Sequence, residues 1–348
     1  MNLFNDIKLE KNYSPDKTIK ENKLVENFDE LFDKLDIKDG ASLSFHHHLR
    51  NGDYVLNMVM EEVHKRGIKD ITLVASSIFP CHAPIIPMIE DGTITNIVAS
   101  YMSGDVAKAI SKGALKGKVL MQSHGGRAKT IMDGDVKIDV AFIASPACDI
   151  RGNVSAVDGN AFCGTLGYAI ADSLMAKKRV AITDTLMDLE SHTEIPSERI
   201  DYILKVDSIG DPKGIVSGTT RITKDPVGLR IAQKAVEVMV ATGLVKEGMN
   251  YQSGAGGVSL AVTKFLGDYM KENEIKGGFA SGGVTGDLVN MMKDGLFDRI
   301  YDVQCFDLVS AENIKEDDRH ISMSAEKYAS VDRDAIVNGL DFVILGAT

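Results

Sequence analysis

Short apolar runs alternate along this chain with longer stretches in which apolar residues recur every three or four positions. LSF, DITLVAS, KVLMQS, DVAFIAS and RVAITD are the short runs. They are compact, mostly β-branched or aliphatic, and read as buried strands. The stretch NGDYVLNMVMEEVHKRG puts Val55, Val59 and Val63 on one line and Met58 and Glu62 on another, which is helical spacing. Met58, Met60, Met291 and Met292 fall on such faces and read as core filling. Strands alternating with helices predict parallel α/β units.

The pattern also repeats. IKDGASLSF, from Ile37, matches VKEGMNYQS, from Val245, and GIKDITLVAS, with Ile68, matches EIKGGFASGG, with Ile275. MIEDGTITNI, from Met88, matches MMKDGLFDRI, from Met291, and KIDVAFIAS, with Asp139, matches GLDFVILGA, with Asp341. The four matches keep their order while their separation drifts smoothly. They predict two tandem open α/β domains with mainly parallel sheets: a polar segment over 1–29, a first domain over 30–206, a link over 207–225 and a second domain over 226–348. In the first copy DVAFIAS is followed by the loop SPACDIRGNVSAVDG and the strand RVAITD, which have no counterpart in the second, so the second domain reads as incomplete.

Charge and composition narrow the function. The 348 residues hold 39 basic and 50 acidic side chains, a net charge of −11. That balance excludes a general nucleic-acid binder, which needs a basic face, but leaves room for a small anion held by a few local cations. Cys81, Cys148, Cys163 and Cys305 are scattered, with no paired spacing for a zinc knuckle or redox motif, and suit a reducing cytoplasm. No apolar run approaches the roughly 20 residues that span a bilayer, and the polar start is no signal peptide. The expectation is a cytoplasmic protein without membrane or nucleic-acid partners.

Candidate chemistry sits where strands turn into helices. In open α/β sheets ligands bind outside the carboxyl ends of strands. The first such turn of copy one is FHHHLRNGD, and its counterpart in copy two is SGAGGVSLA. Gly254, Ala255, Gly256 and Gly257 read as a cradle for an anion or oxyanion at a helix start. The spacing fits neither a dinucleotide fingerprint nor a phosphate loop with lysine. For His46, His47 and His48 three readings stand: one packs and one faces solvent, the three hold a metal, or one or two of them join Arg50 in meeting carboxylates. Contiguous imidazoles point apart, which disfavours a metal. A third turn, SHGGRA after KVLMQ, offers His124 and Arg127, either as a plain turn with a solvated arginine or as part of a polyanion pocket. Asp149 reads as a turn cap and Cys305 as a buried thiol.

These stretches resemble a known family. SFHHHLRNGDYVLNMVMEE, ASSIFPCHAP, YMSG, HGGRA, DVAFIASPACD, VDSIGDPKGIVSGTTRITKDPVGLRIA, GAGG, DVQCFDL and VILGAT are similar to the alpha subunits of citrate lyase, over nearly the whole chain from about residue 40. The resemblance implies a CoA-transferase fold, and a protein that runs on past VILGAT. It implies exchange of the acetyl group on an acyl-carrier thiol, or on CoA, for citrate, with release of acetate. No tightly bound cofactor or metal is implied. The implied partners are citrate, an acyl carrier subunit and a citryl-lyase subunit, in a complex whose chains also self-associate.

Many CoA-transferases carry the acyl group on a glutamate after a strand of the second domain. Here the matching turn is GFASGG, with Gly282 at or beside that position, so direct transfer without a covalent intermediate is expected and glycine is expected to open space for substrate. On these grounds Gly256, Gly257, Gly282 and Gly283 are expected at the catalytic step, and Gly254, Ala255 and Gly256 at the thioester group. His46, His47, Arg50, His124, Arg127, Ser281 and Arg221 are expected to meet citrate, with Arg221 otherwise a surface hinge residue. A transferase for another di- or tricarboxylate such as citramalate, and a short non-catalytic scaffold, are the alternatives.

Overall fold

The computed structural model describes residues 23–189, 192–216, 221–254 and 256–345. They form two compact units. Unit 1 holds the described residues up to Phe162 together with Tyr168–Gly214 and Ser324–Glu326. Unit 2 holds Cys163–Gly167, Ile215–Met323 and the described residues from Lys327 onward.

The strands of unit 1 are β1 (Leu24–Val25), β2 (Ser42–Phe45), β3 (Ile71–Ala75), β4 (Ile94–Ala99), β5 (Val119–Met121), β6 (Val140–Ser145), β7 (Ala147–Cys148), β8 (Val154–Ser155), β9 (Lys178–Thr183) and β10 (Tyr202–Lys205). Eight of them make one sheet, ordered β1-β10-β9-β6-β2-β3-β4-β5, with every pair parallel. β7 and β8 form a separate antiparallel pair. The polar segment expected over 1–29 contributes the edge strand β1, so this unit begins before residue 30.

Helices cover the sheet because parallel strands must be buried on both faces. They are α1 (Phe28–Leu35), α2 (Val55–Lys65), α3 (Ile86–Glu90), α4 (Gly104–Ser111), α5 (His124–Met132) and α6 (Gly167–Met175). The valines that predicted α2 are its buried line, Val55, Val59 and Val63, joined by Leu56 and Met60. Asp53 starts that helix by accepting the amides of Val55 and Leu56.

Unit 2 repeats the plan. Its helices α7 (Pro226–Ala241), α8 (Gly257–Glu272), α9 (Gly286–Lys293) and α10 (Leu308–Glu316) accompany strands β11 (Tyr251–Ser253), β12 (Gly277–Gly282), β13 (Phe297–Asp302), β14 (His320–Ser322) and β15 (Phe342–Val343). The order β14-β13-β12-β11-β15 is that of β5-β4-β3-β2-β6, again all parallel. Tyr251, Leu266, Leu288, Phe297 and Ile300 lie in its continuous apolar core. Among the described residues nothing in unit 2 corresponds to β9, β10 or β1.

This topology fixes where a ligand can enter. In unit 1 the chain steps from β2 outward to β5 and then returns to lay β6 on the other side of β2. Connections leave β2 and β6 in opposite directions, and a crevice opens beyond their carboxyl ends. The same switch lies between β11 and β15 in unit 2. FHHHLRNGD leaves one switch point and SGAGG the other.

Candidate functional site

The residues after β2 are packed, not displayed. His46, His47 and His48 are 6%, 2% and 0% exposed, so the expectation that one would face solvent fails. The extended chain sends His46 and His48 to one side, where their Nδ1 atoms meet at 2.7 Å. His47 turns the other way and bonds the Ser76 hydroxyl at the end of β3.

Tautomers follow from the partners. The amide of Ala144, on β6, donates to Nε2 of His46 at 2.8 Å, which leaves the proton of that ring on Nδ1. His46 therefore donates to Nδ1 of His48, and His48 keeps its own proton on Nε2. The Tyr168 amide approaches that same nitrogen at 3.4 Å. Were it to donate there, His46 would be left with no proton at all, so the two shorter bonds decide. His46 has both nitrogens engaged inside the protein. It bridges the two strands of the switch point, with no ring nitrogen left for the substrate contact expected from the sequence.

Around this bridge lies an aromatic cluster. Tyr168 stacks on His47 at 5.0 Å between centroids, and His124 lies 5.4 Å from Tyr168 and 5.5 Å from His47. Burial lowers His46 to about 4, and burial with the charges of Arg127 and Arg50 lowers His124 to about 4. Both rings are neutral near pH 7. Positive charge in the cluster comes from arginine. Arg50 is 8% exposed, lies 4.9 Å over the Phe79 ring and adopts φ +52 in a 3-10 turn over Arg50–Gly52. Burial lowers it to about 10, so it stays charged.

HGGR is no loop. Ser123 caps α5, accepting the Gly126 amide at 3.0 Å, so His124 and Arg127 stand in the first turn of a helix. Arg127 is 1% exposed. Its Nη2 bonds Oδ2 of Asp172 at 3.0 Å and the Ser44 hydroxyl at 2.9 Å. The solvated-arginine reading fails, and a guanidinium in a polyanion pocket would already have Asp172 and Ser44 on its Nη2. Its Nε and Nη1, and Oδ1 of Asp172, have no protein partner. Burial raises the Asp172 carboxyl above the usual range.

At the switch point of unit 2, Gly256 caps α8 and Gly257 opens it. Amides of a first helical turn have no intrahelical acceptor, the arrangement an oxyanion needs. A β-carbon on Gly257 would lie 2.7 Å from the Arg221 carbonyl, and one on Gly254 would lie 2.6 Å from that of Ile344. Arg221 itself is exposed. Ala255 lies outside the described residues.

The GFASGG turn corrects two expectations. Gly282 has φ +92, and a β-carbon there would lie 2.3 Å from the Ser253 carbonyl. The glycine lets β11 and β12 approach, so its side-chain direction opens no space for substrate. It equally leaves no room for a glutamate. The Gly283 amide donates to that same Ser253 carbonyl at 2.9 Å and is not a spare oxyanion donor. Ser281 is buried and bonds the Tyr328 phenol at 2.8 Å, which in turn donates to Gln252.

Sequence reasoning missed Tyr168, Asp172 and Tyr328. Each is distant in sequence from the motif it completes, and no local pattern marks it. Asp149 behaves as expected, accepting the amides of Arg151 and Asn153 in a turn.

Comparison with known proteins places this geometry. Residues 21–348 match the family described as citrate lyase, alpha subunit (CitF). A citrate lyase alpha chain of Haemophilus influenzae is 41% identical over 339 residues, spanning 97% of this chain and 68% of the relative. An alpha subunit of citrate lyase from Streptococcus mutans, solved in complex with citrate, is 42% identical with a TM-score of 0.88, over 93% of this chain and 64% of that one. An alpha subunit of a malonate decarboxylase from Acinetobacter baumannii, at 13% identity and a TM-score of 0.64, covers 82% of this chain and 52% of its own and shares the fold alone. The chain thus spans about two thirds of the length of the citrate lyase relatives it matches. With its paired parallel sheets of CoA-transferase type, it belongs to the citrate lyase alpha subunit family.

Proposed function

We propose that this chain exchanges the acetyl group of an acyl-carrier-protein or CoA thioester for citrate, as the transferase of a citrate lyase complex. The observation that carries the reading is Arg50, a buried cation held over Phe79 beside neutral imidazoles at the switch point of unit 1. A relative 42% identical to this chain was solved with citrate. Citrate carries up to three carboxylates near pH 7. A guanidinium can hold one of them through two parallel hydrogen bonds, and Tyr168 lies close enough to Arg50 to feel its charge.

The chemistry is two acyl transfers. A citrate carboxylate oxygen attacks the acetyl thioester carbon, the C–S bond breaks, and a mixed citryl–acetyl anhydride and a thiolate result. The thiolate then attacks the citryl carbonyl and acetate leaves. Each attack passes through a tetrahedral oxyanion, for which the first-turn amides of α8 at Gly256 and Gly257 are the donors we assign. One such donor contributes about 2.7–4 kcal/mol. Gly282, closed to any side chain, supports direct transfer without a glutamyl intermediate. An acyl carrier subunit and a citryl-lyase subunit are the partners this reaction needs.

The test is citrate-dependent release of acetate from acetyl-CoA, run with citrate binding by calorimetry and with citramalate as competitor. Arg50→Ala is expected to weaken citrate at least tenfold. Unchanged affinity in that folded variant sinks the site, and a trapped protein-bound acyl ester sinks direct transfer.

A further inference from the structure

A second cluster of chemically capable side chains lies in unit 2. Asp302 ends β13, Cys305 follows three residues later and His320 opens β14. All three are buried, and their ligand atoms lie within 4.8 Å of one another. Sγ of Cys305 and Nε2 of His320 each stand 3.0 Å from the same oxygen, Oδ2 of Asp302. The other carboxylate oxygen accepts the Gln304 amide at 2.7 Å, which fixes the group. Gly164, at φ +88, passes so close that a β-carbon there would lie 2.4 Å from Sγ, so the thiol is held toward the carboxylate.

Two proton arrangements compete. In one, the thiol and Nε2–H of His320 both donate to Asp302, and Nδ1 accepts from Nδ2 of Asn313 at 3.2 Å. That leaves Oδ1 of Asn313 buried without a partner, which folded proteins avoid. In the other, the Asn313 amide is turned over, since its oxygen and nitrogen have the same shape. Nδ1–H of His320 then donates to Oδ1 at 3.2 Å, and the amide nitrogen takes the buried place that Oδ1 held. Nε2 now points a lone pair at a carboxylate oxygen 3.0 Å away, an arrangement that needs either a second proton on the ring or a metal cation between the two atoms.

We infer that Asp302, Cys305 and His320 bind a zinc ion, with Asn313 holding His320 in the tautomer that ligates. Imidazole nitrogen, carboxylate oxygen and thiolate sulfur are the donors zinc takes. Bonds of about 2.0–2.1 Å to nitrogen and oxygen and about 2.3 Å to sulfur give tetrahedral edges of roughly 3.3–3.6 Å. The two 3.0 Å edges need to open by only a few tenths of an ångström. Binding releases one proton, from the thiol, while the proton of His320 moves from Nε2 to Nδ1. Thiolate and carboxylate together cancel the charge of the ion, so the buried cluster becomes neutral. The Phe306 amide, next to Cys305, donates to the Val284 carbonyl at 2.8 Å, so the ion would brace the turn that follows Gly282 and Gly283.

Because the cluster is buried, metal enters during folding, and the test uses the 348-residue chain expressed with the ion present. Grown with zinc and dialysed without chelator, it should carry about one zinc per chain by elemental analysis. Grown in cobalt-supplemented minimal medium, it should show thiolate-to-cobalt charge-transfer absorption and tetrahedral ligand-field bands. Both signals should vanish in Cys305→Ser and persist in Cys163→Ser. Asn313→Ala should weaken retention against a competing chelator by about 10–100-fold. A folded wild type with neither zinc nor cobalt spectrum overturns the inference. So does a metal signal that survives Cys305→Ser, or one lost in Cys163→Ser with Cys305 intact.

Discussion

Mild acid should loosen unit 1 through its buried imidazoles. His46 and His124 sit at about 4 in the folded protein against an ordinary 6.5. Between those values the unfolded chain binds more protons than the folded one, so stability rises with pH across the window. The contribution is complete above 6.5 and is lost as pH falls toward 4. At pH 5 the linkage relation gives a loss of ~2 kcal/mol for each ring, about 4 kcal/mol for the pair. With typical stabilities of about 5–15 kcal/mol, this is a large fraction. Carboxylates held low by ion pairs, such as Asp91 and Asp317 at about 2, titrate below the window and do not confuse it. The assay is urea unfolding at pH 7.5, 6 and 5, on the parent and on a His46→Gln, His124→Asn double variant. With slopes of about 1–3 kcal/mol per molar urea, the parent midpoint should fall by roughly 1–4 M between pH 7.5 and 5. The variant should lose most of that dependence. Equal slopes in the two proteins would refute the claim that burial, rather than general acid sensitivity, sets the response.

Two further outcomes test the packing around the proposed chemistry. Arg127→Met strands Asp172 in the core and should cost about 3–5 kcal/mol, while Arg127→Met with Asp172→Leu should cost less than either single change; thermal unfolding of the four proteins checks it, and additive losses would contradict the pair. Gly282→Ala should cost more than about 2 kcal/mol, from overpacking against the Ser253 carbonyl at positive φ; an alanine tolerated within measurement error would mean the strands can part there.

The strands and the repeat were legible because parallel sheets bury both faces and so write themselves as short apolar runs. The matched segments became β2 and β11, β3 and β12, β4 and β13, β6 and β15, in one spatial order. Local competition was harder to read. Gly125 and Gly126 suggested a loop, yet the Ser123 cap carried the helix through them. Least legible were roles that depend on distant partners. The meaning of Arg127 changes once Asp172 is beside it, and His46 changes once the Ala144 amide claims its Nε2. The metal-binding cluster was hidden for the same reason. Its ligands come from the end of one strand, a loop and the start of the next strand, not from paired cysteines at close spacing.

The two switch points answer one geometric problem in opposite ways. Strands that part at their carboxyl ends leave a wedge-shaped gap, and its lining decides what chemistry it can host. After β2 the first residue is His46, whose ring spans the gap to the Ala144 amide on β6. After β11 the first residue is Gly254, and the backbone around Ile344 beyond β15 closes to within 2.6 Å of where a β-carbon would be. One copy props its strands apart with a side chain and so can seat further side chains, aromatic and cationic, above the prop. The other lets backbone meet backbone, which leaves the helix-start amides that we assign to the oxyanion. A histidine at Gly254 would clash with the Ile344 carbonyl, and a glycine at His46 would leave the Ala144 amide buried without its acceptor. The difference between the copies therefore goes with strand spacing, and the division of carboxylate and oxyanion recognition that we propose would follow from it.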